Sequence, residues 1–220
     1  MVHKFAYMLQ KMFHDWYTKS GGFWDVFVPY IWDNKWLQSK VTYKIITGTE
    51  PVDIRTVFKD SEMVKLQAEK ICEGITDQDK KARAIWQWVK KNIKYISDTK
   101  KHGKPEYWQY PEQTMLFKSG DCEDGAVLMC KMMEYVGIYH VKVAAGWVKN
   151  PNGNKDVGHA YCIYNKYKTD KWVIADWCYY PTQMRVWETA KEYKEIWWTA
   201  NSRLAWAQHD VIVKEGKLYD

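Results

Sequence analysis

The first eighteen residues place their apolar side chains at the spacing of one helix face. The apolar positions are Phe5, Met8, Leu9, Met12, Phe13 and Trp16. This pattern predicts an amphipathic helix that ends at Gly21 and Gly22. The aromatic segment that follows, FWDVFVPYIWDNKWLQ, is broken by Pro29, and it either packs on the main domain or docks to a partner. The alternation in KVTYKIIT then predicts a strand.

Three apolar patterns in the middle of the chain predict helices. Asp60 or Ser61 is placed to cap a helix in EMVKLQAEKICE, and Thr76 with Asp79 resembles a capping box for DKKARAIWQWVKKNIKY. The third pattern, CEDGAVLMCKMMEYV, is apolar on nearly all sides and is followed by Gly137. Because such a helix is buried, we expect only its N-terminus to reach the surface.

The remaining part of the chain is patterned mainly as strands. The runs HVKVAAGWV, VGHAYCIY and KWVIADWCY are separated by turn-rich segments, which predicts an antiparallel meander. A further helix is predicted around VWETAKEYKEIWW, and DVIVKEGKLY predicts a last strand. The predicted fold class is α+β, with a buried helix packed against an antiparallel sheet. Residues 1–58 form an N-terminal extension in this interpretation, and residues 59–220 form the main domain.

Composition and charge narrow the choice of partners. The chain has 220 residues, of which 46% are hydrophobic, with 33 basic and 27 acidic side chains. The basic residues are scattered among acids, so nucleic acid is not an expected partner. No uncharged apolar stretch approaches the roughly 18 residues that a membrane span needs, and no signal region opens the chain. We therefore expect a soluble protein.

The five cysteines include no C-x-x-C pair, which predicts neither a disulfide framework nor a zinc ribbon. This usage fits a reducing compartment such as the cytoplasm. Four of them are interpreted as small buried hydrophobic residues: Cys72, Cys130, Cys162 and Cys178. A zinc site made of the last three with His159 is disfavoured, because His159 and Cys162 fall on opposite sides of one strand.

Cys122 differs from the other cysteines because it lies among carboxylates where the buried helix begins. Asp121 is the natural N-cap, and Asp124 at the third helical position can reach back to a free amide. Unpaired N–H groups and the positive end of the helix dipole favour a thiolate at Cys122. Since the adjacent carboxylates oppose that charge, we expect a cationic partner.

Among the six histidines, only His159 combines a strand context with a polar residue on the next predicted strand. That residue is Asp176. A hairpin that turns within NKYKTDK pairs each residue of the first strand with one of the second, and the two residue numbers sum to about 335 to 337. If this sum is odd, the side chains of His159 and Asp176 lie on one face of the sheet. Taken singly, Cys122, His159 and Asp176 each have an ordinary structural explanation. Their order and placement together predict a Cys-His-Asp triad.

The segment GDCED at the start of an apolar helix, followed by GHAYCIY and WVIADW, resembles the transglutaminase-like superfamily of papain-like cysteine enzymes. Upstream, ARAIWQWVKKNIKY and YWQYPEQTMLFKS resemble the segments that precede the nucleophile in bacterial transglutaminase-like proteins. The resemblance implies that Cys122 is the nucleophile, His159 the general base and acid, and Asp176 the orienting residue. It covers residues 78–180.

No metal or other cofactor is expected from this resemblance. The paired cysteines that hold zinc in peptide N-glycanase relatives are absent, and no loop resembles the calcium loops of animal transglutaminases. Gln113 stands where bacterial relatives often carry a glutamate, and it either donates to an oxyanion or packs. Trp108 lines the cleft or supplies an indole N–H donor there, or it packs in the core.

Three functions remain open from the sequence. The preferred one is hydrolysis of a peptide or isopeptide amide through a thioester on Cys122. In the second, a transglutaminase, a lysine amine replaces water as the acceptor. In the third, the fold is a non-catalytic scaffold. Hydrolysis is preferred because no second module is evident that would bring an acceptor protein, so the expected partner is a peptide or protein substrate.

Overall fold

The computed structural model describes residues 52–153, 155–169 and 171–207, together with the strand segments 42–43, 212–214 and 217–219. The predicted N-terminal helix and the aromatic segment after it lie outside these residues. Strand 42–43 falls within KVTYKIIT, where the alternation predicts one. Within the described residues, no helix combines the length and apolarity that crossing a bilayer requires.

The helices lie in the first half of the described chain. They are α1 Glu62–Ile71, α2 Gln78–Asn92, α3 Asp98–His102, α4 Pro111–Phe117 and α5 Cys122–Tyr135. Ser61 caps α1, since its hydroxyl accepts from the Val64 N–H. The cap of α2 is Asp77, whose carboxylate accepts from the Lys80 N–H at 2.8 Å, rather than the predicted Thr76.

The strands lie mainly in the second half. In chain order they are β1 Thr42–Tyr43, β2 Val52–Asp53, β3 Lys94–Tyr95, β4 Ser119–Gly120, β5 Val141–Lys149, β6 Asp156–Asn165, β7 Trp172–Ala175, β8 Arg185–Val186, β9 Tyr193–Ala200, β10 Ala205–Ala207, β11 Ile212–Lys214 and β12 Lys217–Tyr219. The main sheet has the antiparallel order β10-β9-β5-β6-β7-β8. The predicted meander is therefore confirmed as β5, β6 and β7.

Two smaller sheets complete the described strands. One has the order β12-β11-β1-β2, so the predicted last strand is a hairpin of β11 and β12. The other is the parallel pair β3 and β4, which joins the segment after α2 to the segment before α5. Its hydrogen bonds run from the Lys94 N–H to the Lys118 carbonyl and from the Ile96 N–H to the Gly120 carbonyl, both at 2.9 Å.

The predicted helix around VWETAKEYKEIWW is wrong. This segment forms a short 3₁₀ turn, Trp187–Thr189, and then strand β9. The edge of β5 offers unpaired backbone groups, and β9 satisfies them while burying Tyr193 and Trp198. Pairing with a neighbouring strand therefore overrides the local helical pattern.

Helix α5 occupies the centre of the core. Its residues 126–130 are completely inaccessible to solvent, which confirms the predicted buried helix. It contacts β5 and β6 on one side and α1, α2 and α4 on the other. Alternate residues of β6 divide between two apolar clusters: Ala160 and Cys162 belong to the α5 cluster, whereas Tyr161 and Ile163 belong to a cluster that also contains Tyr193.

Gly146 provides a test of the β5–β9 pairing. A Cβ atom at this position would lie 2.1 Å from the Glu195 carbonyl oxygen, so Gly146→Ala is expected to lower the free energy of unfolding by about 2 kcal/mol in urea titrations. Gly153→Ala is the matched control, because the nearest atom to its Cβ would be 3.7 Å away. Equal stability of the two variants would contradict the described pairing.

Candidate active site

The N-terminus of α5 is fixed by a buried carboxylate. Asp124 accepts a hydrogen bond from the Asp121 N–H at 3.3 Å, as the predicted capping arrangement requires. It also accepts from the backbone N–H of Gln109 at 2.7 Å and from the side-chain amide of Gln109. Lys101 donates to the amide oxygen of Gln109 at 2.8 Å. Sequence reasoning missed Gln109, since no local pattern links it to α5.

Two glycines of the SGDCEDG segment leave room for these contacts. A Cβ at Gly120 would lie 2.5 Å from the Asp124 Cβ, and one at Gly125 would lie 2.3 Å from the Trp177 ring. Trp177 in turn donates its Nε1–H to the Cys122 carbonyl at 3.1 Å. The residue after Asp176 is therefore bonded directly to the backbone of the candidate nucleophile.

His159 and Asp176 are bonded, with 2.8 Å between Nε2 and Oδ2. The β6–β7 register pairs Cys162 with Ala175, a sum of 162 + 175 = 337, so the predicted odd register is confirmed and the two side chains share one face. Both side chains are buried. The structure thus brings together two of the three predicted triad residues.

The Asp176 carboxylate accepts hydrogen bonds from several donors besides His159. Tyr193 donates its hydroxyl to Oδ2 at 2.9 Å, and the N–H groups of Cys178 and Tyr179 donate to Oδ1 at 3.0 and 3.1 Å. Burial by itself raises the pKa of this carboxyl, but the His159 charge and these hydrogen bonds outweigh burial and lower it. Asp176 is therefore ionised, as an orienting carboxylate must be.

The Cys122 thiol lies against β6 at the residue next to His159. The backbone amide of Ala160 hydrogen-bonds Sγ, while the thiol donates to Glu123 Oε2 at 3.2 Å. Among the described residues, His159 Nδ1 has no hydrogen-bond partner. Because Asp176 holds Nε2, Nδ1 is the ring nitrogen that remains available for proton exchange.

The charge environment of Cys122 is less favourable to a thiolate than the helix N-terminus alone suggests. Burial raises the pKa of the Cys122 thiol, and the Asp121 charge raises it further, against the opposing effects of the Ala160 amide and Glu123. Burial also raises the pKa of the Glu123 carboxyl well above its usual range, with contributions from Cys122 and Asp121. The thiol is therefore neutral before it meets a proton acceptor.

Aromatic rings border the thiol and the imidazole. Tyr179 stacks on His159 with ring centroids 3.9 Å apart and planes at 10°. Tyr95, which is 43% exposed, lies 6.1 Å from the Trp177 ring and 6.5 Å from the Tyr179 ring. These rings limit the access of water to the imidazole and form an apolar wall beside it.

The two predicted cleft residues have structural contacts. The Gln113 side-chain oxygen accepts from the Tyr110 N–H at 2.9 Å and so caps α4. Trp108 is buried, donates its Nε1–H to Glu106 at 2.8 Å and lies 5.9 Å from the Trp198 ring. An oxyanion role for Gln113 and a cleft role for Trp108 stay predictions.

Carboxylates collect beside the start of α5 in a way that the sequence did not predict. In one group, an oxygen from each of Asp98, Asp121 and Asp124 lies within 4.8 Å of the other two. The same distance limit holds within a second group, formed by Asp98, Glu106 and Glu123. Oxygens of Asp98, Asp121 and Glu123 have no hydrogen-bond partner in the described part of the chain. Burial, with the Asp121 charge, raises the pKa of Asp98 to about 7. Such an all-oxygen donor set fits a hard divalent cation.

A comparison with known protein families identifies the family of this chain. Residues 66–177, just over half of the chain, match the family model of the transglutaminase-like superfamily. None of the curated proteins compared with the chain matches it.

Among solved structures, Legionella pneumophila LapG aligns with 70% of this chain and 74% of its own, at 18% identity and a TM-score of 0.45. A calcium-bound form of that protein covers 66% of this chain and 87% of its own, at 15% identity and a TM-score of 0.43. A proposed cysteine protease from Cytophaga hutchinsonii covers 63% and 45%, at 19% identity and a TM-score of 0.44.

The family assignment rests on the match to the family model, which covers both the start of α5 and the β6–β7 pair. It does not rest on the similarity to these solved structures. The chain belongs to the transglutaminase-like superfamily.

Proposed function

We propose that this protein is a cysteine-dependent amide hydrolase that cleaves peptide or isopeptide bonds through a thioester on Cys122. The observation that carries the proposal is the buried His159–Asp176 pair, bonded at 2.8 Å, which leaves Nδ1 without a hydrogen-bond partner among the described residues. The Cys122 thiol, at the start of α5, contacts the amide of the neighbouring residue Ala160. Each group has the chemistry that its role in a triad needs.

In the proposed reaction, His159 Nδ1 takes the proton from the Cys122 thiol as Sγ attacks the amide carbonyl carbon. The negative charge moves to the carbonyl oxygen, and the N–H of Cys122 at the start of α5 donates a hydrogen bond to it. The imidazolium then returns the proton to the leaving amine as the C–N bond breaks. Water, deprotonated by His159, hydrolyses the thioester and regenerates the thiol.

Asp176 has an orienting role in this scheme. Its lowered pKa keeps it charged, so it holds Nε2–H and stabilises the imidazolium without taking the proton. Since the Cys122 thiol is neutral at rest, the thiolate forms only by transfer to His159. Closure of the apolar wall over a bound substrate would strengthen that ion pair.

We also propose that the carboxylates beside α5 bind a hard divalent cation such as Ca²⁺. The residues that would hold it are Asp98, Glu106, Asp121, Glu123 and Asp124. Asp98, Asp121 and Glu123 each have one buried oxygen without a hydrogen-bond partner among the described residues, which supports the proposal. A bound cation supplies positive charge that offsets these acids. Because Asp121 and Glu106 both raise the pKa of the Cys122 thiol, that charge would ease its ionisation.

Water is the proposed acceptor, and transamidation is the alternative. Both reactions share the same thioester, so only the second acceptor distinguishes them.

The triad predicts a specific pattern of alkylation at Cys122. At pH 7, His159→Ala is expected to slow the reaction of Cys122 with iodoacetamide by about 10²-fold, because the thiol loses its proton acceptor. Asp176→Asn should also slow it, since the ring is no longer held in the correct tautomer. Peptide mass mapping measures the rate at Cys122 specifically.

The matched control for alkylation is His140→Ala, at the half-exposed histidine just before β5. Its rate should equal that of the unaltered protein. Labelling of the unaltered protein at the same rate as that of His159→Ala would instead support the scaffold alternative.

The acidic cluster predicts a dependence of stability on pH and calcium. EDTA keeps the protein free of calcium, and the pKa of Asp98 is then about 7 in the folded state. At pH values between the ordinary pKa of an aspartic acid and 7, the folded state therefore binds more protons than the unfolded state. The contribution of Asp98 to stability is therefore present at low pH and is lost as pH rises through about 7. Asp98→Asn should remove this loss in thermal unfolding measurements.

At pH 8, millimolar Ca²⁺ is expected to raise the melting temperature of the unaltered protein but not that of Asp98→Asn. Glu112→Gln, at an exposed acid on α4, is the control and should keep the full calcium response. No calcium response in the unaltered protein, or an equal one in Asp98→Asn, would rule out the proposed cation site.

The choice of acceptor is tested with unfolded casein and a fluorescent primary amine. New casein fragments without incorporation of the fluorescent amine are expected, because water completes the reaction. Incorporation at glutamine that disappears in Cys122→Ala would establish transamidation instead. The same variant controls for contaminating proteases, whose fragments would persist.

A further inference from the structure

Two tryptophans lie on the main sheet close to the candidate active site but have no role in the proposed reaction. Trp147 of β5 is 40% exposed. Its ring meets the ring of Trp197 of β9 at a right angle, with the two centroids 4.9 Å apart. An aromatic pair with one exposed member offers apolar surface to a ligand.

The Trp147–Trp197 pair lies on the face of the sheet that α5 covers. Side chains of β6 alternate between the two faces, and Ala160 belongs to the α5 cluster, so Gly158 faces the same side. The β5 partner of Gly158 is Trp147, which places this side chain on that face as well. Trp197 packs directly against the α5 cluster. Both rings therefore share the face on which the Cys122 thiol lies.

A β-bulge brings Trp197 to this face. Ala145 of β5 pairs with Trp198. The next residue, Gly146, pairs with Ile196, which leaves Trp197 as an extra residue in β9. Regular alternation would place Trp197 and Trp198 on opposite faces, yet both pack in the α5 cluster. The bulge therefore redirects an indole towards β6.

Gly158 leaves room for the redirected ring. A Cβ atom at Gly158 would lie 3.0 Å from the ring carbon Cη2 of Trp197. Glycine inside a strand often marks a place where another group approaches the backbone closely. The Trp147–Trp197 pair thus borders the residue that precedes His159.

The pair begins where the cover provided by α5 ends. Helix α5 starts at Cys122, whose thiol is bonded by the amide of Ala160. Ala160 is buried, whereas Gly158 is exposed. These two residues lie about 7 Å apart along β6, which is the length of two residues of extended chain. An extended substrate attacked by Cys122 therefore reaches the pair with a side chain close to the cleaved bond.

We propose that Trp147 and Trp197 form a substrate-binding site for an aromatic side chain within two residues of the cleaved bond. The inference rests on the proposed function and names the class of its substrate, which is an extended peptide segment with Phe, Tyr or Trp beside that bond. A planar side chain that lies parallel to one indole directs its edge to the other. Offset-stacked and edge-to-face contacts are both favourable, and an alanine side chain makes neither.

The two tryptophans have different parts in this site. Trp147 supplies the accessible ring, whereas the partly buried Trp197 is held by the core and limits the orientations of Trp147. Replacing Trp147 by alanine removes the exposed ring and little of the core. This substitution is therefore the direct test of the site.

Peptide binding tests the site without relying on catalysis. The Cys122→Ala protein is mixed with an alanine hexapeptide that carries phenylalanine at its second and fifth positions, or with the all-alanine hexapeptide. Saturation-transfer NMR titrations give the two dissociation constants. The phenylalanine peptide should bind about tenfold more tightly, and this preference should be lost in Cys122→Ala/Trp147→Ala.

The matched control for binding is Cys122→Ala/Tyr167→Ala. Tyr167 is 50% exposed in the turn between β6 and β7, and its removal should keep the preference. Cys122→Ala/Gly158→Ala tests the site with Trp147 in place, because the added methyl group displaces the Trp197 ring and should weaken the preference. Circular dichroism establishes that each variant is folded. Equal binding of the two peptides by Cys122→Ala, or a preference that persists without Trp147, would overturn the proposed site.

The consequence for cleavage is measured separately in the chain with Cys122 intact. Peptides from a tryptic digest of casein are incubated with the protein, and the cleaved bonds are mapped by mass spectrometry. Aromatic residues are expected within two positions of these bonds, and their enrichment should fall about tenfold in Trp147→Ala. Cleavage without this enrichment would overturn the role in specificity.

Failure of the proposed function gives a different result. Absence of cleavage, together with alkylation of Cys122 no faster than in His159→Ala, would contradict the proposed hydrolase. The peptide preference of the Cys122→Ala protein does not depend on that outcome, because this protein has no nucleophile.

Discussion

The buried negative charge of Asp176 is the constraint on which the rest of the site depends. A carboxylate removed from water is costly unless donors replace its hydration, and here an imidazole, a phenol and two backbone amides do so. These donors come from β6, from β9 and from the turn after β7. Trp86 of α2 also donates to the Asp176 carbonyl at 2.7 Å. The fold therefore converges on this residue, and the charge fixes the orientation of His159.

The second organising feature is the buried helix α5, which begins at Cys122 and holds its thiol against β6. Its apolar body is surrounded by the core, so its N-terminus cannot shift without disturbing both the sheet and the helices. Gln109 holds the Asp124 carboxylate at this end, and Trp177 holds the Cys122 carbonyl. The proposed nucleophile and the proposed orienting acid are thus linked by one hydrogen-bonded tryptophan rather than by long-range packing alone.

Local patterns in the sequence were sufficient to predict α5 from its apolar side chains on nearly all sides. They were also sufficient to predict the meander and the β6–β7 register, from the alternation along each strand and the turn between them. They failed at β9, where an aromatic segment with helical spacing pairs with the edge of β5. They also missed the acidic cluster, since Asp98 and Glu106 reach α5 through tertiary contacts. The thiol environment was only partly predictable: the helix N-terminus was evident, but the desolvation that raises the Cys122 pKa depends on packing.

The contact between Gly125 and the Trp177 ring has an evolutionary consequence. A side chain at position 125 would overlap an indole that also binds the helix backbone, so neither position can change freely while the other stays the same. We expect related chains to vary these two positions together, with a smaller ring or an aliphatic residue at 177 wherever 125 carries a methyl group. Effects of substitutions at the two positions should accordingly be strongly non-additive.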